Sequence, residues 1–167
     1  MDLYLVRHGA AADAADPQYP HDRDRPLTPD GVKRFRREAA GLAALGASVD
    51  VLLSSPYKRA WRTAELMAES GGWPAPLECA ALEPGRPPSE VLDALKPYSG
   101  SSSIALVGHE PSMHQLASYL LTADTQHAAI EFRKGGVALL EVDDDLRPGS
   151  AVLRWLLAPK VLRAIGG

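Results

Sequence analysis

With Cys79 as its only cysteine, the 167-residue chain cannot form an internal disulfide. The apolar stretch Leu77-Glu78-Cys79-Ala80-Ala81 marks instead a buried thiol in a reducing compartment. No apolar run approaches the roughly 20 residues that a membrane-spanning helix needs. The first such run is broken by Arg7 after a few residues, so no signal peptide is expected and the cytoplasm is the expected location. There is no cysteine cluster, no His-x-x-x-His and no glycine-rich phosphate loop, so neither a metal nor a nucleotide cofactor is expected. His21, His114 and His127 show no ligand spacing and read as surface or helix residues. Charge of neither sign dominates: 18 Lys+Arg stand against 21 Asp+Glu, a net charge of −3 that gives no reason to expect nucleic acid. Aromatic residues make up 6 %, and Trp61, Trp73 and Trp155 read as packing. Repeats and low-complexity segments are also missing. What remains, 46 % hydrophobic and 23 % charged, is the composition of one soluble globular domain over 1–167.

Strand and helix patterns alternate through most of the chain. Apolar runs predict strands at 2–7, 51–55, 77–81 and 104–108. Thr28-Pro29-Asp30 opens a helix with an N-cap, a proline at its first position and an acid in its first turn. Val32, Phe35, Ala39 and Leu42 line one face of that helix, and the Lys33–Arg37 cluster reads as its solvated side. Further helices are expected at 56–70, closed by Gly71-Gly72, and at 89–96 and 111–122. Two final strands, 136–142 and 151–157, are joined by a turn-rich segment and predict an antiparallel hairpin. The expected fold is a three-layer α/β/α sandwich around a mostly parallel, mixed sheet with an antiparallel edge.

Three strands end in chemistry. The first runs into Arg7-His8-Gly9, the second into Ser54-Ser55-Pro56 with Arg59 in the following helix, the fourth into Gly108-His109-Glu110-Pro111. In open α/β sheets, ligands bind beyond the carboxyl ends of the strands. Two imidazoles and two guanidiniums delivered to one sheet edge suit an attack on phosphorus with cationic support.

These motifs, with Thr63, the Leu27-Thr28-x-x-Gly31 helix start, the Lys134-Gly135-Gly136-Val137 strand start and the Leu153-Arg154-Trp155 strand, resemble the histidine phosphatase (phosphoglycerate-mutase-like) superfamily over nearly the whole chain. Within it the chain is most similar to the small SixA-type phosphohistidine phosphatases. Ala10 after Gly9, where the mutase branch commonly has Glu, favours the SixA-type reading. The resemblance implies a phosphatase with His8 as nucleophile and a covalent phosphohistidine intermediate. Arg7, Arg59 and His109 would complete the catalytic set, with Gly9 and Ser55 at the substrate.

Phosphoryl transfer asks for positioning and charge stabilisation, which planar guanidiniums supply better than lysine. Arg7 and Arg59 should push the His8 pKa down and keep a lone pair free for attack. For the proton donor, relatives carry a Glu on the loop after the third strand, and Glu83 lies in the corresponding region with different flanking residues. Glu110 and Asp22 rank behind it. Imidazole leaves more readily than an alkoxide, so a phosphoramidate needs less acid assistance. The chain lacks room for a long insertion before Ile104 that would cover the site. Both points favour phosphohistidine on a partner protein as substrate, with a monomer as the working unit. The alternatives are a phosphatase of small phosphate monoesters and a non-catalytic phosphate-recognition module.

Overall fold

The computed structural model describes residues 1–167. In chain order the elements are β1 (Asp2–Arg7), α1 (Pro29–Ala44), β2 (Val51–Ser54), α2 (Lys58–Gly71), β3 (Leu77–Glu78), α3 (Pro88–Leu95), β4 (Ser103–Gly108), α4 (Ser112–Thr122), β5 (Val137–Glu141), β6 (Val152–Leu157) and α5 (Pro159–Ile165). The six strands form one sheet in the order β3-β2-β4-β1-β5-β6. β1, β2, β3 and β4 are mutually parallel neighbours; β5 runs antiparallel to both β1 and β6. This is the expected mixed sheet, including the hairpin.

Alternation along the strands builds two cores, because successive side chains leave opposite faces of a sheet. From β1, Leu3 and Leu5 enter one cluster with Ile104, Leu106, Leu116 and Phe132, under α3 and α4. Tyr4 and Val6 enter the other with Phe35, Leu42, Leu52, Met67 and Val107, under α1 and α2. Leu162 of α5 is fully buried in the second cluster. Three layers result.

Local chemistry explains most element ends. The Thr28 hydroxyl accepts from the Gly31 amide at 2.9 Å, capping α1 ahead of Pro29. α2 ends at Gly72, whose left-handed φ of 72° lets its N–H reach the Met67 carbonyl. The third strand is shorter than the apolar run suggested. Cys79 still donates to the Ser54 carbonyl, but Leu82 then bonds back to Cys79 and the chain turns into a short 3-10 helix over Ala80–Leu82. α5 has no counterpart in the sequence reading. Of the basic cluster on α1, Arg34 pairs with Asp30, Arg36 with Glu69, and Arg37 donates to the Gly167 carbonyl.

Candidate active site

The order β2-β4-β1 makes the carboxyl ends of three parallel strands neighbours, so Ser55, His109 and His8 emerge side by side. His8 extends the ladder by one bond, its amide donating to the Gly108 carbonyl at 3.0 Å. On the other flank, the Gly135 amide lies 3.2 Å from the Arg7 carbonyl and 3.1 Å from that of His8. Gly135 holds φ at 85°, which favours glycine, and a Cβ there would displace the Glu38 carboxylate.

The His8 ring is oriented from both ends. Nδ1 lies 2.7 Å from the Gly9 carbonyl oxygen, a contact that requires the proton on Nδ1 and leaves the lone pair on Nε2. Arg59 Nε donates to that Nε2 at 3.2 Å. The Gly9 amide donates to the Thr63 hydroxyl, which donates to the Arg59 carbonyl one helical turn earlier, tying the loop to α2. Burial first, then the neighbouring His109, Arg59 and Arg7, hold the His8 pKa well below its ordinary 6.5. The ring is therefore neutral at pH 7.

His109 stands with its ring centroid 5.2 Å from that of His8. Its Nε2 meets the Ser55 hydroxyl at 2.9 Å, and its buried Nδ1 has no protein partner. Burial and the Arg59 charge lower its pKa to about 3. A neutral ring that accepts from Ser55 carries its proton on Nδ1, where it can donate to an oxyanion. Arg7 donates through Nη1 to the Phe132 carbonyl at 2.5 Å, and its buried Nε is also without a protein partner.

Arg59, buried at the start of α2, is held by the loop that follows β1. Its Nη1 donates to the Asp22 carbonyl at 2.7 Å and its Nη2 to Asp22 Oδ2 at 2.8 Å. Arg25 grips the other oxygen of the same carboxylate, with Nε at 2.8 Å from Oδ1. Partial burial pushes the Asp22 carboxyl up, but the hydrogen bonds and charges of both arginines hold it below its ordinary value.

These side chains enclose a cavity of about 280 Å³ lined by Arg7, His8, Arg59 and His109 together with Ala11, Asp22, Arg25, Pro84, Glu110 and Lys134. Six candidates named from the sequence thus converge: Arg7, His8, Arg59 and His109, with Asp22 and Glu110. Gly9 and Ser55 lie behind the wall, the first orienting His8 and the second His109. Glu83 is not a lining residue; its neighbour Pro84 is. Arg25, the place of Lys134 in the cavity wall and the closure of Asp22 on Arg59 escaped the sequence reading. No group of three or more His, Cys, Asp or Glu side chains is arranged to hold a metal ion.

The profile of the histidine phosphatase superfamily (branch 1) matches residues 3–82. An uncharacterized protein of Picosynechococcus sp. is 35 % identical over 139 residues, covering 82 % of each chain. The phosphohistidine phosphatase SixA of Escherichia coli is 26 % identical over 175 residues, covering 99 % of this chain and all of its own. A solved structure of the protein histidine phosphatase SixA complexed with tungstate superposes with a TM-score of 0.83 at 26 % identity, over 96 % of this chain and 98 % of that one. Strand order, cavity and these likenesses agree, and the chain belongs to the histidine phosphatase superfamily.

Proposed function

We propose that this chain is a phosphatase whose His8 Nε2 attacks phosphorus, forms a covalent phosphohistidine, and draws its substrates from phosphohistidine on partner proteins. The observation that carries the reading is the His8 ring itself. Nδ1 is engaged by the Gly9 carbonyl, the lone pair remains on Nε2, and Arg59, Arg7 and His109 stand around it. A neutral buried imidazole is a competent nucleophile at pH 7, and it needs no base to prepare it. The surrounding donors suit the three equatorial oxygens of a phosphoryl group, whose charge they would stabilise in the transition state. Tungstate, the ligand of the SixA structure, is an oxyanion of the same shape and sign.

In the first step the bond from His8 Nε2 to phosphorus forms as the bond to the leaving group breaks. In the second, water attacks phosphorus and releases His8 Nε2 with its lone pair. Arg59 would exchange the Asp22 carboxylate for a phosphoryl oxygen on the way. The choice of a protein substrate rests on size and access. A cavity of about 280 Å³ falls just below the usual range of small-molecule sites, roughly 300–1,000 Å³. It would take a phosphoryl group and one imidazole ring while the rest of a partner stays outside. Between β3 and β4 the chain carries α3 and short turns in place of a covering insertion. A cytoplasmic location and a monomeric working unit belong to the same proposal.

Initial rates on a phosphohistidine-bearing protein, set against a panel of alkyl phosphates, test it. The phosphoramidate should react faster. Faster turnover of alkyl esters would reject phosphohistidine as the preferred substrate, and oxyanion binding with no turnover of anything would leave a recognition module.

A further inference from the structure

One carboxyl group lines the cavity without a task in the scheme above. Glu110 follows His109 off the end of β4, and its Oε1 is buried with no hydrogen-bond partner. Arg7 extends from the adjacent strand, paired in register with Gly108, and its own Nε is buried without a partner as well. The two make no ion pair, whereas Asp22, the other carboxylate that lines the cavity, is closed on Arg59 and Arg25. A half-buried carboxylate with a free guanidinium N–H nearby would gain by closing on it, because such charge-assisted hydrogen bonds are among the strong ones. A protonated carboxyl has no such pull.

We propose that Glu110 is the proton donor to the leaving group, the role the sequence reading gave to Glu83. The proposal rests on His8 as nucleophile. As His8 Nε2 bonds to phosphorus and the bond to the leaving nitrogen or oxygen breaks, the Glu110 O–H gives its proton to that departing atom. The resulting carboxylate then takes a proton from the water that attacks phosphorus while the bond to His8 breaks. Inorganic phosphate, neutral His8 and protonated Glu110 are left, and the cycle is balanced.

The surroundings suit a carboxyl that holds its proton more tightly than an ordinary glutamate. Burial raises the Glu110 pKa; Arg7 on β1, His114 on α4 and the His114 backbone amide pull it down by less. Arg59 and Lys134 also border the cavity, and Asp22 is paired with Arg59 there. A bound phosphoryl dianion would screen Arg7 and favour the neutral carboxyl further.

Glu110→Gln and Glu83→Gln, each assayed on an alkyl phosphate and on an activated aryl phosphate, separate the candidates. Glu110→Gln should lose roughly 10²-fold on the alkyl substrate, the scale of one general acid, and less than about threefold on the aryl one. The alkaline limb of the alkyl pH profile should vanish with it, while Glu83→Gln keeps the wild-type ratio. An equal loss on both substrates, or the leaving-group effect appearing in Glu83→Gln instead, would overturn the proposal. Isotope-edited infrared spectroscopy of the tungstate-bound wild type needs no turnover. A protonated-carboxyl band at pH 7 that Glu110→Gln lacks is expected, and its absence would overturn the proposal even if the variant misfolds. Label from the aryl phosphate on His8 in the wild type guards the underlying reading: no label there sinks His8, whereas label with leaving-group-independent rates sinks Glu110 alone.

Discussion

Arg59 has a partner before any substrate arrives. Asp22 occupies two of its nitrogens through one carbonyl and one carboxylate oxygen, so an incoming phosphoryl group competes with a charge the protein supplies itself. Asp22→Asn removes that charge and keeps the shape. Competitive inhibition by tungstate should tighten about three- to tenfold, the scale of one partly exposed ion pair of roughly 1 kcal/mol. Unchanged or weaker inhibition would mean that Asp22 does not oppose the anion. Arg59→Ala should lose about 10²–10³ in kcat, as deletion of one transition-state donor does, and Arg59→Lys should recover only part of it. Wild-type rates in Arg59→Ala would place the phosphoryl group elsewhere. The depressed His8 pKa makes a further prediction with a definite sign. Attack needs the neutral ring, so kcat/KM should stay flat as pH falls through the ordinary imidazole value of 6.5 and decline only well below it. An acid limb centred at 6.5 would contradict the buried, neutral nucleophile.

At the level of elements, the Gly135 turn braces the strand end that carries His8, and Glu38 of α1 lies against the turn. Glu38 is buried and pairs with Arg163 of α5. Burial outweighs that partner and raises its carboxyl to about 7, from an ordinary 4.5. The folded state thus holds this proton more tightly than the unfolded one. The stabilisation is complete below about 4.5 and is lost as pH rises through about 7. Chemical denaturation should therefore show stability falling over that window, by on the order of 3 kcal/mol. Glu38→Gln should flatten the slope; a slope that survives in the variant would assign it to other groups. Much of this scale was legible beforehand. Thr28-Pro29-Asp30 carries a cap, and β1, β2 and β4 carry apolar runs, because both are signals within a few residues of one another. α5 has seven residues and takes its stability from Leu162 against α1, a contact that no local pattern announces. Asp22 meets Arg59 across 37 positions of chain, and Gly135 meets His8 through the backbone alone. Such long-range closures are written in the fold and not in any window of sequence. Glu110 was visible as a residue, but its missing partner was not.

For the whole molecule, the sheet order does the decisive work. Placing β4 between β2 and β1 brings two imidazoles and two guanidiniums from segments far apart in the chain into one cavity. The cores beneath are complete on both faces of the sheet, so the four groups are carried on packed strand ends and one helix start. A site of this kind predicts chemistry through His8 itself, with the phosphoryl group passing onto the protein before water removes it. Quenching the enzyme in alkali during turnover of a labelled phosphoryl donor, then mapping the peptides, tests this most directly. The account predicts label on His8 that survives base, is lost in acid, and is missing from His8→Ala. Turnover without label on His8, or label that persists in His8→Ala at wild-type rates, would contradict it.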